Sequence, residues 1–150
     1  AAPARSEADY TKYIGGREHV SVVFGQSYAV MRHAKAAVVN SGTASLECAL
    51  IGTPQVVAYK GAEINFLIAK MIIKIQYISL GNLILDRICF RELLQYYFTP
   101  DNVLNEVRRM IEDEEYRSAM LSGYQEIRDA LGGEGASAAV ARAMIGELRK

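Results

Sequence analysis

Apolar residues along this chain fall into short runs separated by turns rich in Gly, Ser and Pro, and the runs alternate between two periods. Ser6 stands where a helix N-cap belongs. Tyr10, Tyr13 and Ile14 then form a short apolar stripe that ends at Gly15-Gly16. HVSVVF (19–24) reads as a strand closed by Gly25, SYAVMRHA (27–34) as a short helix, and AAVVN (36–40) as a second strand. TASLECALI (43–51) predicts a helix and PQVVAY (54–59) a strand. EINFLIAKMIIKI (63–75) predicts another helix, and YISL (77–80) is a candidate fourth strand. Short apolar strands alternating with helices argue for a parallel sheet covered on both faces.

Beyond Leu80 the pattern turns helical. FRELLQYYF (90–98) has helical spacing. Thr99-Pro100 supplies an N-cap and a first-turn proline to a helix with Val103, Val107 and Met110 on one face. Two further helices are expected over Glu114–Leu131 and Ala136–Arg149, on either side of Gly132-Gly133. The acidic run Glu112–Glu115 fits a solvated corner between helices.

Composition narrows the class. The 150 residues are 51% hydrophobic and 23% charged, enough for one domain with a sizeable core. Seventeen Lys and Arg balance seventeen Asp and Glu, so no net field draws the chain to nucleic acid. Cys48 and Cys89 form no C-x-x-C pair, which favours a reduced cytoplasmic setting. The apolar region Ile64–Leu85 is interrupted by Lys70, Lys74, Gln76, Gly81 and Asn82, which argues against a spanning helix. The chain opens Ala1-Ala2-Pro3, like the last residues of a strand entering a loop, and a fragment is expected.

The chemistry concentrates at Ser41-Gly42-Thr43, between a strand and a helix. In a parallel sheet, ligands bind beyond the carboxyl ends of strands. Gly42 lets backbone approach a ligand, and the first N–H groups of the following helix lack internal partners and suit a phosphate. Glu47 lies one helical turn after Thr43, where a carboxylate can accept hydrogen bonds from the paired hydroxyls of a ribose. Ser or Thr before a helix is also ordinary capping, and Glu in a first turn ordinary dipole compensation. Spacing alone leaves both readings open, because the turn is neither a Walker loop nor a G-x-G-x-x-G fingerprint.

NSGTASLECALIGTPQVVAYK (40–60), YISLGNLILDR (77–87) and RELLQYYFTPDNV (91–103) resemble, in order, the motifs of the lipid-A-disaccharide synthases. The likeness runs over nearly the whole chain from Val20. Two positions depart from the family pattern: Gly81 replaces the usual proline before Asn82, and Ile88 stands where Glu is common, leaving the shape of the 81–91 loop open. The resemblance implies a Rossmann-like α/β fold, the C-terminal half of a GT-B glycosyltransferase truncated on its N-terminal side, with a helical extension over 99–150. It implies transfer of diacylglucosamine from a UDP donor to diacylglucosamine 1-phosphate in lipid A biosynthesis. It further implies that Ser41, Gly42 and Thr43 hold the donor diphosphate, Glu47 the ribose, and backbone near Phe24-Gly25 the uracil. Asn82, Arg87 and Gln95 match family positions near the donor. The general base is expected on an absent N-terminal domain, a partner for this one across the active-site cleft.

Lys60, just past a strand end, is placed to neutralise leaving-group charge or to snorkel at the surface. No Asp-x-Asp or His cluster offers a metal site, and no cofactor is implied. His19 and His33 have no partner at triad spacing, and Cys48 fits a small core residue. The cluster Phe66–Ile73 suits core packing by default and an acyl or inner-membrane surface as the alternative, which would make the protein peripheral to that membrane. A second copy is a further candidate partner. Competing functions are a non-catalytic nucleotide-sugar-binding module or pseudoenzyme, and a purely structural domain.

The family's usual strand order leaves an incomplete sheet here. Residues 20–24 and 36–40 would lack their shared neighbour. Four or more strands in one sheet, with 20–24 bonded to 36–40, would contradict that expectation.

Overall fold

The computed structural model describes residues 6–61, 76–132, 140–142 and 144–146. They fall into two compact units that divide after Ala34. In the first, helix α1 (Glu7–Ile14) starts from Ser6, whose N–H donates to the Asp9 carboxylate at 2.9 Å, and ends at Gly15 in the left-handed region (φ 57°). Helix α2 (Ser27–His33) follows a non-regular stretch. Tyr10 and Phe24 meet edge to face, 6.1 Å between ring centroids.

The second unit opens with strand β1 (Ala37–Asn40), helix α3 (Thr43–Ile51) and strand β2 (Gln55–Tyr59). Helix α4 (Leu80–Leu85), strand β3 (Glu92–Leu94) and a 3-10 turn over Gln95–Tyr97 come next, then helices α5 (Pro100–Glu112) and α6 (Glu114–Leu131). The three strands form one parallel sheet in the order β1-β2-β3. Asn40 lies opposite Ala58, and Tyr59 opposite Leu94. The α/β class and its parallel sheet are as the sequence predicts.

Three elements differ from expectation. Residues 19–24 form no strand and do not pair with β1, since extended backbone persists only where a neighbour takes its N–H and C=O groups. YISL is also not a strand: Ile78 and Ser79 turn into α4, with Ser79 as its N-cap. Within 90–98, the spacing of Phe90, Leu93 and Leu94 looks helical, yet Glu92–Leu94 is a strand. The second edge of β2 needs partners for its backbone, and Val57 N–H finds one in the Arg91 carbonyl at 2.9 Å. The expected helix 63–75 lies outside the described residues. Of the helix expected over 136–149, residues 140–142 and 144–146 are helical and the rest lies outside the described residues.

The core of this unit gathers on α6. Met120, Tyr124 and Ile127 are buried together with Cys48, Ala49 and Phe90. Tyr124 meets Phe90 edge to face at 6.0 Å, and its hydroxyl donates to the Thr53 carbonyl at 3.1 Å. Arg128 crosses to the last turn of α3, its guanidinium donating to the Ala49 and Leu50 carbonyls at 3.1–3.3 Å. The Ala49 carbonyl also accepts from the C-cap Gly52 N–H at 3.2 Å, and a cation suits that end of the dipole. Thr99 and Asp113 cap α5 and α6 by accepting from Asn102 N–H and Tyr116 N–H. The acidic corner thus has a structural task.

The departure at Gly81 has a packing reason. A Cβ there would lie 2.8 Å from Phe90 Cε1 and 3.0 Å from Ile127 Cδ1, both on fully buried side chains. Gly81→Ala is expected to lower the melting temperature: overpacking costs about 1–3 kcal/mol, more than the ~1 kcal/mol that alanine gains in a helix. Thermal denaturation followed by circular dichroism checks this, and an unchanged or raised midpoint would contradict the packing account.

Candidate functional site

Parallel strands end on one edge of their sheet, and here that edge carries most of the sequence-predicted residues of this unit. Ser41 follows β1, Lys60 follows β2 and Gln95 follows β3. The pairing register puts Gln95 level with Lys60, and Ser41 level with Tyr59. An open cavity of about 360 Å³ lies here, lined by Val38, Val39, Asn40, Ala58, Tyr59, Lys60 and Phe98. Lys60 is exposed and supplies positive charge to it.

The Ser41-Gly42-Thr43 turn has the geometry of an open helix start. Gly42 is the N-cap of α3, at φ 143° and ψ −160°, and no side chain caps that helix. Only glycine adopts that region readily. Among the described residues nothing lies within 4 Å of where its Cβ would be, which leaves the backbone open to a ligand on that side. Gly42 and Thr43 are exposed, while Ser41 is half-buried and donates its hydroxyl to the Ile78 carbonyl at 3.2 Å. Among the described residues no side chain caps the first turn of α3, and the positive end of the helix dipole lies behind its leading N–H groups. Glu47 follows in the second turn of the same helix, half-buried.

Gln95 is the most constrained residue on this edge. Its backbone is in the left-handed region (φ 49°), it is 7% exposed, and its amide Nε2 has no hydrogen-bond partner among the described residues. Leaving a buried donor unpaired costs about 1–3 kcal/mol. Such outliers cluster at functional sites.

Asn82 and Arg87 have different tasks. Asn82 is fully buried, and its amide donates to the Phe90 carbonyl and to Glu92 at 2.9 Å each. Its oxygen accepts from Cys89 N–H and Phe90 N–H, so every hydrogen-bonding position is taken. Arg87 pairs with Glu126 of α6 at 2.6 Å, on a loop that enters β3 at its amino end. Phe24 and Gly25 belong to the first unit, where Gly25 has φ 67° and no strand precedes it. Cys48 and Cys89 are free and buried, and burial pushes both thiols up to about 11, which leaves them unreactive at neutral pH. His19 and His33 are exposed, and the described residues contain no His, Cys, Asp and Glu cluster able to hold a metal. No helix among them is long and apolar enough to cross a membrane.

Glu92 was not singled out from the sequence. Its carboxylate accepts from Ile78 N–H at 2.9 Å, Ser79 N–H at 3.0 Å, the Ser79 hydroxyl and the Asn82 amide. The available signal is an acidic residue set in the otherwise largely apolar run 88–98.

A parallel α/β unit with an open, glycine-led helix start at its strands' carboxyl edge is a Rossmann-like domain. Comparison with known proteins makes the assignment more specific. A family model for lipid-A-disaccharide synthetase matches residues 10–143. The lipid-A-disaccharide synthase of Acidobacterium capsulatum is 36% identical over 116 residues, 77% of this chain and 29% of the relative. That of Trichlorobacter lovleyi is 34% identical over 136 residues, 90% of this chain and 36% of the relative. That of Anaeromyxobacter dehalogenans is 33% identical over 150 residues, 99% of this chain and 39% of the relative. The chain belongs to the lipid-A-disaccharide synthase family, glycosyltransferases of lipid A biosynthesis. It spans about a third of the length of these relatives.

Because φ 143° with ψ −160° suits glycine alone, Gly42→Ala is expected to destabilise the chain by about 1–3 kcal/mol although the space is empty. Urea denaturation measures this, and a wild-type midpoint would show the turn to be relaxed.

Proposed function

We propose that this chain forms the UDP-sugar donor side of a GT-B glycosyltransferase. The reaction is transfer of 2,3-diacylglucosamine from its UDP donor to 2,3-diacylglucosamine 1-phosphate, with release of UDP. The observation that carries this reading is the open start of α3 at the carboxyl end of β1, with Gly42 in a glycine-only conformation. Backbone N–H groups at such a terminus bind a diphosphate without a side-chain cation, and the dipole favours its charge.

The remaining roles follow from placement. Glu47, one turn along α3, accepts from the ribose hydroxyls. Lys60, at the end of β2, stands where charge develops on the departing diphosphate. Gln95, which follows β3 at the same edge, lies next to the donor with its amide buried. Asn82 and Arg87 support the loop that joins α4 to β3 and are assigned no ligand contact. The acceptor site and general base belong to the part of the relatives' length that this chain does not span, so the isolated chain is expected to form no disaccharide. An acylated acceptor implies work at a membrane surface, on the cytoplasmic side where nucleotide sugars are made.

Isothermal titration with UDP tests the reading. Glu47→Ala is expected to weaken UDP by about 1–3 kcal/mol, the range for leaving hydroxyls unpaired. Wild-type chain that takes up no UDP, or a Glu47→Ala variant with unchanged affinity, would overturn it. The same titration separates a metal-free site from a metal-dependent one. With backbone donors and Lys60 as the only positive groups invoked, UDP affinity in EDTA is expected to match that in Mg²⁺. Strict dependence on Mg²⁺ would contradict this account of charge neutralisation.

A further inference from the structure

Ser41 does not have a proton to spare for a phosphate. A hydroxyl carries one donor, and that of Ser41 goes to the Ile78 carbonyl at 3.2 Å. Its lone pairs would face an anion unfavourably. The contribution of Ser41 is therefore to tether the turn, and the tether is only as firm as the carbonyl that receives it.

That carbonyl belongs to the Ile78–Ser79 peptide. The N–H of the same peptide donates to Glu92 Oε1 at 3.0 Å, and the preceding N–H, that of Ile78, donates to Glu92 Oε2 at 2.9 Å. The Ser79 hydroxyl and the Asn82 amide also donate to Oε1. Glu92 opens β3, and Ser41 follows β1, with β2 between them. The Ile78–Ser79 peptide thus spans the central strand, held by a carboxylate on one side and by a hydroxyl on the other. Charge-assisted hydrogen bonds are stronger than neutral ones, and an acceptor that binds a peptide N–H polarises the carbonyl of that peptide.

We infer that Glu92 is a positioning residue for the Ser41-Gly42-Thr43 turn, acting through the Ile78–Ser79 peptide. The inference rests on the donor-site reading for its consequence on UDP, though not for its geometry. A carboxylate is needed because four donors converge on two oxygens. In Glu92→Gln, one oxygen can still take the Ser79 and Asn82 donors, while the new NH₂ confronts Ile78 N–H, donor against donor.

Two measurements on the 150-residue chain test this. In amide correlation spectra, Glu92→Gln is expected to move the Ser41, Gly42 and Thr43 resonances together with those of Ile78 and Ser79. Conversely, Ser41→Ala, a milder change at a half-buried site, is expected to move Ile78 and Ser79. Resonances on the far side of the turn that stay in place in both variants would overturn the inference, whatever the chain binds. In UDP titrations, each variant is expected to bind about 3- to 10-fold more weakly, and the double variant no more than about twofold worse than the weaker single one. A loss of fold stability alone lowers the melting temperature without producing that coupling, so additive effects would also overturn it. If the wild-type chain binds no UDP while the turn resonances still move, the donor-site reading fails and the positioning role stands.

Discussion

Everything at the candidate site depends on β2 being paired in parallel on both sides. Its residues Gln55 to Ala58 are all buried, so every backbone N–H and C=O there needs a protein partner. β1 supplies partners along one edge and β3 along the other. Since all three strands run the same way, Ser41, Lys60 and Gln95 come off the sheet at one edge without any contact among them to bring them there. Were β3 reversed, Gln95 would leave from the opposite edge and the cluster would not exist. A backbone constraint thus assembles side chains that are distant in sequence.

Among the described residues between β2 and β3, polar side chains tie Ile78–Asn82 to Cys89–Glu92. Asn82 uses its whole hydrogen-bonding capacity on Phe90, Cys89 and Glu92, and Glu92 in turn gathers Ile78, Ser79 and Asn82. Each such bond contributes only about 0.5–1.5 kcal/mol net, but an orphaned buried partner costs about 1–3 kcal/mol. Against a total stability of roughly 5–15 kcal/mol, the network therefore cannot be loosened one bond at a time without visible loss. Gly81 lets α4 come close enough to Phe90 for this arrangement.

How much of this was legible in the sequence follows from how local each cause is. The caps at Ser6 and Thr99, the helix at 43–51 and the strands at 36–40 and 54–59 were readable because their determinants lie within a few residues. The open turn at Gly42 was readable for the same reason, as a glycine between an apolar run and a helix. Strand β3 was not, because three residues with helical spacing become a strand only when β2 offers an edge. Residues 19–24 failed in the opposite sense, strand-like in composition and without a ladder to join. The network of Glu92 and Asn82 is not legible in the sequence, because burial of a charged or amide side chain is a tertiary fact.

Gln95 is where local preference and tertiary demand conflict most. A non-glycine residue in the left-handed region costs roughly 1–2 kcal/mol, and its unpaired buried amide adds a penalty of similar size. The strand ends at Leu94 and the 3-10 turn begins at Gln95 itself, so the strain sets where β3 stops and where the exposed Tyr96 and Tyr97 begin. The two costs are of similar size, and both fall on one residue at the point where β3 leaves the sheet, so Gln95 is held in place by its surroundings against its own preference.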